Sequence, residues 1–491
     1  MSAADPLPVE NLAVRAGHGA LAAFISQGGK FVLNFAVAVI LARLLSPEDF
    51  GLFALAFAIT GFLEFAKDGG MVLPVVQAEE LTLAQIDTLF WFNAGVGLLV
   101  TVIACGAALV AGSLYADARI VPLTCALALS FLVGGLSTQH LGLLRRQMRF
   151  TALALCEVVA LTVAAVAAVA AAMHGAGYWA LVLFQLLREA LQAVFVVIAT
   201  RWLPAWPTQW APVQPLVRSG GIMMVFELLG YLVLKMDKLI VGWFVGPSGL
   251  GFYDKAFQLL LLPVNQINAP LSGVVHSTLS RLQREPERFR GYFMRALFVT
   301  TSLGLPVIAF AAVNADAVIA VLFGTRWLPA APIFRALAPA AALMTMPPVG
   351  WICFPLGRGR RQLPWTIFTT ATTVAAIFIG VRWGPVGVAL AYSVTRVVLF
   401  LPTLVFTCHG TPLAWPTLLA AAARPALAST IGAIASLAAD AMLARSAAQL
   451  LFNGALFAAV YHLCWLAIPG GRMLVRDSLS AARALYRAER S

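Results

Sequence analysis

Residues Ile40–Phe57 read ILARLLSPEDFGLFALAF, and residues Ile240–Phe257 read IVGWFVGPSGLGFYDKAF. They align without a gap at an offset of 200: Pro47 falls on Pro247, Gly51 on Gly251, and Ala56-Phe57 on Ala256-Phe257. Each copy joins two long apolar runs, so one structural plan is written twice in the chain. Outward from the two copies, fourteen apolar runs read as spans: 19–42, 50–66, 88–111, 121–144, 151–173, 177–200, 219–245, 251–276, 292–314, 330–356, 363–383, 385–408, 416–441 and 447–468. A helix needs roughly 20 apolar residues to cross a bilayer. The second run is the weakest, cut short by Glu64, Lys67 and Asp68. The copies stand at the junctions of runs 1–2 and 7–8. With six runs between them, the halves keep one orientation and are related by an axis along the membrane normal.

Composition agrees. Of 491 residues, 61% are hydrophobic and 11% charged, with a mean hydropathy of +0.89. A water-soluble chain carries about a quarter charged residues, which excludes a soluble globular protein. Barrel strands would alternate apolar and polar residues, whereas Val158–Met173 is apolar throughout except for Thr162. The expected fold is an all-α polytopic membrane protein of about fourteen transmembrane helices. Two pseudo-symmetric six-helix lobes occupy 19–200 and 219–408, and a C-terminal helix pair occupies 409–468. Residues 1–18 form a cytoplasmic segment, 201–218 a cytoplasmic linker rich in Pro and Trp, and 469–491 a cytoplasmic amphipathic tail. The stretch 315–327 (ADAVIAVLFGTRW) is too short to cross and reads as an interfacial piece.

The formal charge is +12, from 33 Lys and Arg against 21 Asp and Glu. In a soluble chain that excess suggests nucleic acid. Here no loop interleaves aromatics with the basic residues, so no nucleic-acid partner is expected. With both termini inside, nineteen Lys and Arg fall in or beside cytoplasmic loops and five on the opposite side. That asymmetry predicts termini in the cytoplasm and an even number of spans. The six cysteines lie in or beside apolar runs, form no CxxC pair and read as small core residues. HExxH is absent, and no metal site or catalytic signature emerges. No small-residue cleavage site follows a short apolar segment near the start, so the first span is expected to be retained.

The run ARLLSPEDFGLFALA, its partner KMDKLIVGWFVGPSGLGFYDKAFQLLLLPVNQINAPL and the later FGTRW resemble the Wzx-type polysaccharide flippases. These belong to the multidrug/oligosaccharidyl-lipid/polysaccharide exporter superfamily, and the colanic-acid-exporter subgroup is the nearest in pattern. The resemblance runs from about residue 12 to 470. It implies two lobes around a central cavity that opens alternately to either side. It implies as cargo an undecaprenyl-pyrophosphate-linked oligosaccharide in a bacterial inner membrane, with a polymerase and export machinery as further partners. A lipid II flippase and a drug or metabolite exporter of the same superfamily are the alternatives. A membrane glycosyltransferase fits less well, because the outer loops are short.

Ionisable residues inside spans are costly unless they face a cavity or a partner. Gln27, Lys30 and Asn34 share one face of the first span, and Lys30 lies too deep to reach the surface comfortably. Gln185, Arg188, Glu189 and Gln192 form a stripe on the sixth, where Arg188 and Glu189 suit either cargo or an interhelical ion pair. On the seventh, Glu227, Tyr231, Lys235 and Lys238 form a broader stripe, with snorkelling as the alternative for the lysines. Asp254 and Gln258 mark the eighth. Glu157 sits near the inner end of the fifth, within reach of water. Arg396 and Arg424 are solitary and read as structural or lipid-facing. In the first outer loop, Ser46 is placed to cap the following helix, with Glu48 and Asp49 in its first turn.

A pyrophosphate headgroup with sugars needs cations in place of water around its phosphates and amides around its glycan. The expected cargo-binding residues are Lys30, Gln27, Asn34, Arg188, Gln185, Gln192, Lys235, Lys238 and Gln258. No Walker A sequence is present, so lobe rocking is expected to draw on a proton or sodium gradient. Glu64, Glu189, Glu227 and Asp254 are the candidate coupling carboxylates. No cofactor is expected.

Overall fold

The computed structural model describes the backbone of residues 9–67, 75, 82–206, 213–440 and 447–467. Side chains are described for 27–61, 63, 75, 82–206, 213, 235–439 and 448–467. The tail at 469–491, residues 1–8, and the side chains of Glu64, Glu227 and Tyr231 lie outside the described residues. Among the described residues all long regular structure is helical. The helices are α1 (Val9–Leu44), α2 (Pro47–Lys67), α3 (Leu83–Leu114), α4 (Ile120–Arg146), α5 (Phe150–Met173), α6 (Trp179–Thr200) and α7 (Gln214–Arg281). There follow α8 (Pro286–Val313), α9 (Ala315–Phe323), α10 (Ala330–Met344), α11 (Gly350–Cys353), α12 (Gly359–Gly380), α13 (Gly384–Cys408), α14 (Trp415–Asp440) and α15 (Ala447–Ala467). Nine stretches among the described residues are long and apolar enough to cross a membrane. One of these, Gly359–Cys408, is two helices meeting at Gly384, whose φ of +69° suits glycine. This is a multi-pass membrane protein.

The chain divides into two compact units, Met1–Gly251 and Phe252–Ser491. In the first, α1 packs on α5, α3 on α4, α4 on α2 and α6, and α5 on α6. Lipid supplies no hydrophobic drive between helices, so small residues that permit close backbone approach hold them together. Gly97 and Gly135 do this for α3 and α4: a methyl on Gly97 would lie 2.6 Å from the Phe131 carbonyl oxygen. Ala104, Ala108 and Ala128 are fully buried. Leu98, Leu99, Val102, Ile103, Leu109 and Val110, on the other side of α3, are exposed as a lipid-facing surface requires.

The two repeat copies meet inside this unit. α7 breaks at Gly246, where φ is 83° and ψ 178°, and restarts at Pro247, just as α2 starts at Pro47. A methyl on Gly51 would overlap the carbonyl of Pro247, and a methyl on Gly251 would overlap that of Pro47. The contact is reciprocal, and only glycine fits either position. Upstream, the Ser46 cap forms as expected. Ser46 Oγ accepts from the Asp49 amide at 3.1 Å, and Asp49 Oδ2 accepts from the Ser46 amide at 2.9 Å and its hydroxyl at 2.6 Å.

In the second unit α8 packs on α14 and α10, α13 on α12 and α10, and α14 on α15. Asn314 Nδ2 donates to Ser436 Oγ and Asn453 Nδ2 donates to Asn314 Oδ1, both at 3.0 Å, joining the end of α8 to α14 and α15. One expectation is corrected here. The tenth run, 330–356, is not one helix: α10 ends at Met344, and a single turn, α11, follows the Pro347-Pro348 pair. Proline lacks the N–H that a continuing helix needs and restricts the residue before it. The stretch 315–327 is, as expected, too short to cross a bilayer. It folds into α9 and a tight turn whose Trp327 is completely buried against Phe252 and Phe323.

Candidate functional site

α1 and α5 pack along one another, and each brings one charge to the seam. Lys30 Nζ stands 2.5 Å from Glu157 Oε2, with both side chains about three-quarters buried at 23% and 24% exposure. Glu157 is therefore not a carboxylate merely reaching water, and Lys30 is not a lone ammonium. At partial burial the lysine and carboxylate attract each other more strongly than in bulk water, where such a pair is worth ~1 kcal/mol. Asn34 Nδ2 donates to the Lys30 carbonyl at 2.8 Å, one turn away. Gln27, on the same face, is exposed.

α6 carries the second cluster. Gln185 Nε2 donates to Glu189 Oε1 at 2.5 Å along the helix. Arg188 Nε is buried without a hydrogen-bond partner. A buried donor left unpaired costs about 1–3 kcal/mol, more when charged. Gln192 is half-buried on the following turn. Further along, Lys235 is half-buried, whereas Asp237 and Lys238 are buried at 6% and 8% exposure. Lys238 is therefore not a surface lysine with its ammonium snorkelling into water. The first unit thus carries cations, amides and carboxylates on α1, α5, α6 and the part of α7 before its break at Gly246.

In the second unit Asp254, 3% exposed, accepts a hydrogen bond from Gln258, and its neighbour Lys255 is also buried. α12 and α13 line a cavity of about 520 Å³, to which the broken α10–α11 segment contributes Met346, Pro347 and Pro348. Arg396 reaches this cavity, its guanidinium 5.6 Å from the centre of the Tyr392 ring. The residue is exposed and lines the cavity at the same time. Glu157 and Arg396 are what the sequence reading under-weighted. A signal existed for both, a charge inside an otherwise apolar run, but a lone charge does not announce which helix lies opposite it.

Outside the spans, Arg119 ties the N-terminal ends of α2 and α4 together. It pairs with Glu48 at 2.7 Å and with Asp117 at 2.8 Å. Hydrogen bonding from Arg119 holds the Asp117 carboxyl below its usual range, and the two carboxylates push the arginine upward.

Residues 40–332 match the family model described as polysaccharide biosynthesis protein. The lipopolysaccharide biosynthesis protein WzxC of Escherichia coli (strain K12) is 23% identical over 367 residues, 73% of this chain and 74% of that protein. The succinoglycan biosynthesis transport protein ExoT of Rhizobium meliloti (strain 1021) is 27% identical over 363 residues, 72% of each. Among solved structures, the inward closed conformation of the lipid II flippase MurJ superposes with a TM-score of 0.73. It shares 15% identity and covers 90% of this chain and 97% of its own.

Proposed function

The chain belongs to the polysaccharide biosynthesis protein family, among the Wzx-type flippases of the multidrug/oligosaccharidyl-lipid/polysaccharide exporter superfamily, and on that premise we propose that it flips an undecaprenyl-pyrophosphate-linked oligosaccharide. Movement runs from the cytoplasmic to the periplasmic leaflet of a bacterial inner membrane, with both termini in the cytoplasm. The chain acts as a transporter and not as an enzyme, and it hands its cargo to a polymerase and export machinery.

The observation that carries this reading is Arg188. Its buried Nε, without a partner on α6, is the kind of group that a phosphate oxygen satisfies. Lys30 lies in the same unit and can exchange Glu157 for the same anion. Asn34, Gln185 and Gln192 supply amides beside the charges, and in the same proposal Lys235, Lys238 and Gln258 extend the surface. The prenyl tail stays in the bilayer, so only the headgroup must be desolvated. Coupling to a proton or sodium gradient assigns the carboxylates Glu64, Glu189, Glu227 and Asp254 as carriers. The swap of Glu157 for cargo on Lys30 then makes binding and protonation favour each other, since a protonated Glu157 releases Lys30.

The test is reconstitution in liposomes loaded with the carrier-linked oligosaccharide of the host strain. Transfer to the opposite leaflet is followed by accessibility to an added glycan-cleaving enzyme. Expected is transfer that quickens under an imposed proton or sodium gradient and falls at least tenfold in Arg188→Gln. Equal transfer in empty liposomes and in liposomes containing the protein would end the reading. Transfer of lipid II at the same rate would move the assignment to the lipid II alternative.

A further inference from the structure

We propose that the cavity in the second unit is a saccharide site, which rests on the flippase reading and adds where the glycan of the cargo is held. Its volume of about 520 Å³ falls within the usual range of small-molecule sites, about 300–1,000 Å³. The chemistry of its walls identifies the ligand class. Gln362, Thr366, Thr369 and Thr373 follow one face of α12, at intervals of four, three and four residues. The threonine protons are already spent on the helix. Thr366 Oγ1 donates to the Gln362 carbonyl at 3.1 Å, Thr369 Oγ1 to that of Thr366 at 3.0 Å, and Thr373 Oγ1 to that of Thr369 at 2.7 Å. What these hydroxyls offer a ligand is therefore lone pairs. Opposite, Thr403 Oγ1 accepts from Trp365 Nε1 at 3.0 Å.

Donors come from different side chains. Gln362 Oε1 accepts from Thr407 at 3.5 Å and from Cys353 at 3.7 Å, which leaves its Nε2 amide protons for a ligand. Asn265 on α7 and Arg396 on α13 add more. Asn268 Oδ1 is a further acceptor in the wall, buried without a hydrogen-bond partner.

The threonine row offers phosphate no proton, and Arg396 is the one cation among the described residues of the wall to set against that run of lone pairs. A prenyl chain would strand the amide and guanidinium donors, at about 1–3 kcal/mol each. A sugar matches both sets, since each hydroxyl donates and accepts, and its C–H faces suit the rings of Trp365 and Phe400. The occupant is a neutral polyhydroxylated ring system. Carrier-linked glycan and free oligosaccharide share that chemistry.

The experiment places Thr369→Cys in a chain whose six native cysteines are alanine, held in nanodiscs, and measures the rate of maleimide labelling. Three probes are compared: the carrier-linked oligosaccharide isolated from the host strain, the free oligosaccharide released from it by mild acid, and sugar-free undecaprenyl pyrophosphate. Expected is protection by the first two and none by the third, with half-protection moved up at least tenfold by adding Thr373→Val and Thr403→Val. Adding Thr372→Val, which lies outside the cavity wall, is expected to change nothing. Protection by the first probe alone keeps the site and assigns it to the anchored glycan. Protection by sugar-free carrier, or by no probe, overturns the proposal. If the cysteine-free chain does not fold, the probes are compared through the fluorescence difference between the native chain and Trp365→Phe, with the same outcomes. Flipping by the native chain is measured in parallel. Flipping without protection ends this inference alone, and the absence of flipping ends the functional reading beneath it.

Discussion

Lys30→Ala strands Glu157, and Glu157→Ala strands Lys30, so the two single variants and the double variant separate folding from transport. Each single variant is expected to lose about 1–3 kcal/mol of stability from the orphaned charge and to lose export. The double variant should regain most of the stability, since neither charge is left without its partner, while export stays lost because the cation is gone. Lys30→Arg keeps the charge with a different geometry and should retain partial export. Thermal unfolding in detergent and polysaccharide at the cell surface are the two readouts. A Lys30→Ala protein that melts and exports like the native chain would remove Lys30 from the mechanism. At the loop between α3 and α4 the sign of a pH effect is fixed. Asp117 has its carboxyl lowered in the folded chain by Arg119, so it adds stability above the ordinary value of 3.8 and loses it as pH falls through the folded value. Asp117→Asn should therefore cost under about 1 kcal/mol at neutral pH, the worth of an exposed pair. The deficit should vanish in melts recorded in acid.

The helices themselves were largely legible from sequence. The expected run at 151–173 is α5 (Phe150–Met173), and 385–408 is α13 (Gly384–Cys408), because length and apolarity decide a span before packing does. The Ser46 cap was legible for the same reason, being local. The α10–α11 break was missed although Pro347-Pro348 stood in plain view: the apolar run continued across the prolines, and the span count weighed hydrophobicity over backbone chemistry. The partner of Lys30 was illegible for a deeper reason. Periodicity shows which residues share a face, but not which helix that face meets. Two element-scale outcomes follow. Replacing both Pro347 and Pro348 by alanine should let α10 run on toward α11 and close the cavity, seen as loss of glycan protection at Thr369→Cys. Gly51→Ala drives a methyl into the Pro247 carbonyl, so expected is a fall of at least 2 kcal/mol, typical of overpacking at about 1–3 kcal/mol, read from thermal unfolding; Gly28→Ala, with open space around it, should be neutral.

Across the whole molecule the lopsided basic loops predict Ser113 outside and Gln283 inside. Cysteines introduced there in a background without reactive thiols should label from outside intact cells at 113 only, and external labelling at 283 would invert the topology. The Gly51 and Gly251 crossing reaches further, into how the two repeats hold each other. Pro47 fills the space at Gly251 while Pro247 fills the space at Gly51, and a contact in which each side supplies the same two groups is what an isologous dimer makes about its two-fold axis. Here the contact is made within one chain, but nothing in it requires the two repeats to be covalently joined. A chain cut in the 201–218 linker and expressed as two separate pieces should therefore still assemble, and do so through these glycines.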